Sequence, residues 1–174
     1  MSIVLQKAPD FKAKAVVGNG DIKDVSLSDY KGKWVVLFFY PLDFTFVCPT
    51  EITQFSKRHD DFKALGAAVL GCSIDSQHSH KAWIQNGLGQ LNFPLVSDLS
   101  KDISRSYGAL LEDKGFSTRA TFIIDNEGVV QYASYNNTNV GRSVDETLRI
   151  LAAAQTGERC PVDWKPGAKT LGKG

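Results

Sequence analysis

Trp34-Val35-Val36-Leu37-Phe38-Phe39-Tyr40-Pro41-Leu42-Asp43-Phe44-Thr45-Phe46-Val47-Cys48-Pro49-Thr50-Glu51 is the stretch whose reading decides the fold. A run of bulky and β-branched side chains that stops at a proline predicts a buried strand leaving its sheet at Pro41. Pro49 has no backbone N–H and fits a helix only within its first turn. The apolar pattern that follows (Ile52, Phe55, Phe62, Leu65) therefore predicts a helix over roughly 49–65, starting close to Cys48. That places the thiol at a helix N-terminus. Free N–H groups and the positive end of the helix dipole stabilise a thiolate there, the form of cysteine that attacks.

Working outward, Gly18-Asn19-Gly20-Asp21 between two extended segments, 11–17 and 22–27, marks a hairpin. Ala67 to Ile74 predicts a second buried strand, leading through Asp75-Ser76 into a helix near Ser79–Ile84. Strand, helix, strand in succession argues for parallel pairing with right-handed crossovers. Asn86-Gly87-Leu88-Gly89 reads as a glycine-rich turn, and Phe93 to Asp98 leads into a short helical segment over 102–107. Asp125-Asn126-Glu127-Gly128 joins 118–124 to 129–135 as an antiparallel hairpin. The last helix covers 145–155 and ends at Gly157. The domain reading is 1–157, with 158–174 as an arm rich in Pro, Gly and Lys.

The chain has 174 residues, enough for one domain with its own core, and a formal net charge of +1. No Lys/Arg block stands out, which argues against nucleic acid as a partner. The longest apolar run is too short to span a bilayer, and the first residues lack a signal peptide's apolar core, so a soluble, cytoplasmic protein with no membrane partner is expected. Three cysteines, Cys48, Cys72 and Cys160, without an export signal read as redox-active rather than as a structural framework. No C-x-x-C pair occurs. His59, His78 and His80 make no zinc pattern with the cysteines; His78 and His80 read as polar residues at a helix entrance, and no metal or cofactor is expected.

Magnitudes constrain what Cys48 needs. Lowering a thiol pKa from about 8.5 to about 6 raises the thiolate fraction at neutral pH about thirtyfold. Intrinsic nucleophilicity falls roughly tenfold over the same range. A large rate must then come from donors aimed at the charge developing on the leaving atom. The candidates are the Thr45 hydroxyl, the Cys48 N–H and the Arg119 guanidinium. Thr45, three residues before Cys48, is either such a donor or a helix cap. Arg119, opening an apolar strand, is either a donor or a solvated strand end. Glu51 occupies the place where a C-x-x-C motif has its second sulfur, so Cys48 cannot be resolved locally. Cys160, on the arm, suits disulfide exchange, although an incidental tail cysteine is the alternative. Cys72 lies within a buried strand and reads as structural.

These residues together resemble a typical two-cysteine peroxiredoxin of the alkyl hydroperoxide reductase C and thiol-specific antioxidant type. The likeness lies in Phe39 to Glu51, in Arg119 with Phe122-Ile123-Ile124-Asp125, in Val140 to Arg149, and in Cys160-Pro161 with Trp164-Lys165-Pro166-Gly167. It covers nearly the whole chain. The resemblance implies an α/β thioredoxin-like fold, a central mixed sheet flanked by helices with an extended C-terminal arm. It implies Cys48 as the peroxidatic cysteine, with Pro41, Thr45 and Arg119 lining its pocket and Glu51 orienting pocket hydrogen bonds. The substrate would be a hydroperoxide. Cys160 of a partner subunit would form an intersubunit disulfide with Cys48, reduced by a thioredoxin-like protein or a flavoprotein disulfide reductase. Homodimers and rings of five dimers are among the family's forms.

Two departures stand out. Family members prone to overoxidation carry Gly-Gly-Leu-Gly and a C-terminal Tyr-Phe pair; here the segment is Asn86-Gly87-Leu88-Gly89, and the chain ends Lys169-Thr170-Leu171-Gly172-Lys173-Gly174. Without that cover, the disulfide should form faster than sulfinic acid. The rival readings are a thiol–disulfide oxidoreductase on the same fold, which Glu51 opposes, and a ring-forming holdase chaperone.

Overall fold

The computed structural model describes residues 2–173. Its centre is β3 (Trp34–Phe39), where side chains alternate between two separate cores. Val36 and Phe38 enter one, while Val35, Leu37 and Phe39 enter the other, which is why the strand is an unbroken apolar run rather than an alternating one. β4 (Ala67–Ser73) pairs parallel to β3, and β5 (Leu95–Ser97) parallel to β4. β8 (Arg119–Ile124) lies antiparallel on the other side of β3, followed by β9 (Val130–Asn136). The hairpin of β1 (Lys12–Val17) and β2 (Asp21–Ser26) completes the far edge, giving the order β2-β1-β5-β4-β3-β8-β9.

One face of the sheet is covered by α1 (Cys48–Lys57), α2 (His59–Ala64), α3 (Gln77–Trp83) and α5 (Val144–Gln155), through Ile52, Phe55, Phe62, Trp83, Leu148 and Leu151. On the other face α4 (Asp102–Ser106) contributes Ile103, which packs with Tyr107 and Phe122. A mixed sheet flanked by helices is the thioredoxin-like arrangement the resemblance implied.

Three local features differ from expectation. The helix expected over 49–65 is broken at Arg58 (φ −94°, ψ 12°), whose guanidinium holds Asp61 and Asp145. The break lets α2 pack along β4 while Phe62 keeps contact with Phe55, ring centroids 5.8 Å apart. The segment expected as a glycine-rich turn, 86–89, instead falls in a wide π-helical turn, Ile84–Leu88, that prolongs α3. There the Asn86 amide donates to the Ala82 carbonyl (2.8 Å), and Gly89 ends the turn at φ +77°. A two-residue hairpin of β6 (Leu110–Leu111) and β7 (Phe116–Ser117) was too short to show a period.

The arm beyond α5 is tied down rather than loose. Arg159 pairs with the backbone of 171–172 across it, its N–H donating to Gly172 O (3.0 Å) and its carbonyl accepting from the Leu171 N–H (2.8 Å). Trp164 is buried, its indole N–H donates to Ala168 O (3.0 Å), and Arg149 of α5 donates to Trp164 O (3.0 Å).

Candidate active site

Past Phe39 the chain stays one residue longer beside β4, the Tyr40 N–H donating to Cys72 O (3.0 Å), and then turns away at buried Pro41. Proline has no N–H to continue the ladder, which is the physical reason for the exit. The loop re-enters helical geometry at Val47. The Val47 carbonyl accepts from the N–H groups of Thr50 (3.1 Å) and Glu51 (3.4 Å), and no side chain caps the helix start. Cys48 is therefore the first residue of α1, as its setting predicted, and its side chain has 0% exposure. Thr45 is not a cap: its hydroxyl, half-buried, donates to Leu42 O (3.0 Å) inside the same loop.

Two arginines and one carboxylate surround the sulfur. Arg119 sits at the start of β8, only 3% exposed, so it is not a solvated strand end. Its Nη1 donates to Cys48 Sγ (3.3 Å) and to Glu51 Oε2 (2.7 Å), while its Nε is fixed on Thr138 O (2.7 Å). Glu51 lies one turn along α1 from Cys48. Its two oxygens have roughly four acceptor sites, and Arg119 fills one. Arg142 fills others: its backbone N–H (2.9 Å) and Nε (3.0 Å) reach Oε1, and its Nη2 (3.0 Å) reaches Oε2. Arg142 also donates to the carbonyls of Phe39 (2.6 Å) and Ala120 (2.7 Å) and lies over the Phe38 ring at 5.1 Å.

Burial acts to raise the Glu51 carboxyl, but the hydrogen bonds and charge of Arg142, then the charge of Arg119, outweigh it and hold the group below its ordinary value. The carboxylate in turn fixes both guanidiniums. A guanidinium donor on sulfur stabilises negative charge there, or on an oxygen the sulfur attacks. The arrangement is thus a thiol at a helix start with a rigidly oriented cationic donor, a setting chemically suited to a nucleophile. Arg142 belongs to the 140–149 motif but was given no role from sequence; the signal was the acceptor capacity of a buried Glu51, which a single arginine cannot fill.

Of the sequence-predicted residues, the structure brings Cys48, Glu51 and Arg119 into contact and places Pro41 and Thr45 in the loop leading to them. Cys160 is elsewhere, half-buried at the end of α5, with Sγ 3.6 Å from the Thr156 hydroxyl and 3.8 Å from Ala153 O. All three cysteines are free. Cys72 is enclosed in β4, where burial and then the charge of Asp98 push its thiol well above the ordinary value. His80, read as a polar residue at a helix entrance, is fully buried. Among the described residues no cluster of metal-ligating side chains occurs.

Comparison with known proteins gives a consistent answer. The model of the AhpC/TSA family matches residues 4–133. The chain is 56% identical to the chloroplastic 2-Cys peroxiredoxin BAS1 of Spinacia oleracea, over 98% of this chain and 68% of that protein. It is 54% identical to a putative peroxiredoxin in the rubredoxin operon of Clostridium pasteurianum, over 97% and 98% of the two chains. Among solved structures it resembles the reduced 2-Cys peroxiredoxin of Plasmodium vivax, with a TM-score of 0.93 and 43% identity, covering 98% of this chain and 93% of that one.

Proposed function

The chain belongs to the AhpC/TSA family and is a thiol-dependent peroxidase of antioxidant defence; from that premise we propose the residues that carry the cycle. Cys48 is the peroxidatic cysteine. Its sulfur attacks the outer oxygen of a hydroperoxide, the O–O bond breaks, and the thiol's proton leaves with the departing oxygen. Cys48–SH and ROOH thereby become Cys48–SOH and ROH. Arg119 stabilises the charge that develops along the S–O–O line, Glu51 and Arg142 hold Arg119 in place, and Pro41 and Thr45 shape the pocket. The observation that carries this reading is the fully buried Cys48 sulfur taking a guanidinium hydrogen bond at 3.3 Å on the first residue of a helix.

Cys160–SH of a partner subunit condenses with Cys48–SOH, giving an intersubunit disulfide and one water. A dithiol, from a thioredoxin-like protein or a flavoprotein reductase, then takes the two sulfurs back to thiols and leaves as its own disulfide. Homodimers and rings of five dimers are the assemblies this reading implies, and the exposed aromatic side chains beside the site, Phe46 at 96% and Phe44 at 60%, offer apolar surface for a contact between subunits. A cytoplasmic setting is the reading that suits three cysteines used for redox chemistry rather than as a structural framework.

The test is a non-reducing gel after mixing reduced protein with stoichiometric hydrogen peroxide. A dimer band is expected in wild type and in neither Cys48→Ser nor Cys160→Ser. Peroxide consumption by wild type without a band would remove Cys160 from the cycle and assign resolution to an external thiol.

A further inference from the structure

The loop that carries Cys48 is gripped by a second buried polar cluster, five residues upstream of the sulfur. Asp43 Oδ1 accepts from the Tyr40 hydroxyl (2.9 Å), and Oδ2 accepts from the Ser79 hydroxyl (2.8 Å) and faces His80 Nδ1 at 2.7 Å. The Asp43 N–H donates to Asp75 Oδ2 (2.8 Å). His80 is fully buried on α3, and its Nε2 lies 3.1 Å from the Val96 carbonyl of β5. A carbonyl carries no proton, so Nε2 is the donor there. At the other end of the ring, Nδ1 is in hydrogen-bond contact with Asp43. The imidazole thus bridges the sheet to the loop, one nitrogen on β5 and the other on Asp43.

What is gripped is a strained turn. Phe44, next to Asp43, has φ +56°, a left-handed backbone that a bulky L residue keeps only when its surroundings hold it there. Its ring is tilted against Trp83, which is on the same helix as His80, at 5.6 Å. Thr45 and Cys48 follow directly. Cys48 has no exposure, so it can meet a sulfur from another chain only if this loop opens, whereas the closed loop holds it against the Arg119 donor that the proposed attack on peroxide uses.

We propose that His80, acting through Asp43, is a positioning residue of the peroxidase: it latches the Pro41–Val47 loop and so sets how sulfenic Cys48 divides between disulfide formation and further oxidation. The inference rests on the Cys48–Cys160 cycle above. Loosening the latch slows the first step, which uses the closed pocket, and speeds the second, which uses the open one.

Two substitutions of the same ring separate latching from space filling. In His80→Asn the amide nitrogen stands near the position of Nδ1 and keeps the bond to Asp43; in His80→Gln the amide reaches toward Val96 and drops Asp43. Each reduced protein is mixed with hydrogen peroxide. The attack rate is followed by stopped-flow fluorescence, disulfide by quenched gels, and Cys48 sulfinic acid by mass spectrometry across peroxide concentration.

For His80→Gln we expect attack slowed roughly tenfold, disulfide formation faster, and less sulfinic acid at each peroxide level. His80→Asn should lie between it and wild type in all three. Equal shifts in both variants, or unchanged partition in both, would overturn the latch. If both fail to fold, Ser79→Ala, which removes a single hydroxyl from Asp43, must move partition in the same direction by a smaller factor, and no movement overturns the proposal. Wild type that forms neither sulfenic acid nor disulfide would instead overturn the cycle on which the latch depends.

Discussion

Glu51→Gln is the sharpest probe of the site because it changes charge with almost no change of shape. The carboxylate is the one acidic partner of Arg119 and Arg142 among the described residues, with all three side chains at most 4% exposed. An amide presents one oxygen and one N–H₂. Whichever way it is turned, a donor faces a guanidinium, and two buried cations repel without a counter-charge. Breaking a buried pair by removing one partner costs about 3–5 kcal/mol. For a chain of this size that lowers the melting temperature by about 6–20 °C, still within typical native stability.

The kinetic effect is separate. If Arg119 loses its fixed aim at Cys48, a charged hydrogen bond in the transition state is weakened by about 1.5–3 kcal/mol, slowing peroxide attack by roughly 10- to 150-fold. The acid limb gives a third readout. The Glu51 carboxyl is held below its ordinary value in the folded state, so its contribution is complete above the ordinary carboxylate pKa of about 4.3 and is lost as pH falls through the folded value. The stability gap between wild type and Glu51→Gln should therefore shrink in urea titrations as pH falls below the ordinary carboxylate value of about 4.3. Stopped-flow attack within threefold of wild type, in a variant that melts at the wild-type temperature, would refute the idea that Glu51 holds the arginines.

Arg142→Lys keeps the charge but loses the forked contacts to Glu51 and to the Phe39 and Ala120 carbonyls; we expect a loss of about 2 kcal/mol or more in urea unfolding together with slower peroxide attack, and unchanged values in both would contradict its supporting role. Gly71→Ala places a Cβ 2.8 Å from Leu95 Cδ2 and 2.9 Å from Phe38 Cζ, so overpacking should cost about 1–3 kcal/mol in the same assay. Cys72, enclosed and with its thiol pushed up, should resist iodoacetamide in the native reduced protein at pH 8 while labelling fully in urea; native labelling measured by mass spectrometry would show that β4 opens readily.

Much of this architecture was legible in one dimension because it rests on local rules. The unbroken apolar run of 34–40, the proline that ends it, the proline at the helix start and the Asp-Asn-Glu-Gly hairpin each act within a few residues. Arg119 was not legible to the same degree, since nothing local distinguishes a strand end in water from one covered by α1 and the loop at Thr138. Arg142 stands 91 positions from the carboxylate it holds, and His80 stands 37 from Asp43. Polar contacts of that reach follow from topology, and no periodicity announces them. The bend at Arg58 was hidden for a related reason, because its partner Asp145 belongs to α5.

The anchoring of the arm has an electrochemical consequence. In the dithiol form Cys160 rests against the end of α5 and the arm is fastened through Trp164, Arg159 and Leu171, while Cys48 is enclosed in its pocket. A disulfide joining the two sulfurs would have to forgo part of both arrangements, so their packing energy favours reduction. By linkage, each ~1.4 kcal/mol of native packing given up on oxidation raises the couple's potential by about 30 mV. In the cycle proposed above, the contacts that hold the sulfurs in place would thus also poise such a disulfide to accept electrons, with the refolding of pocket and arm drawing the bond toward its reduced state.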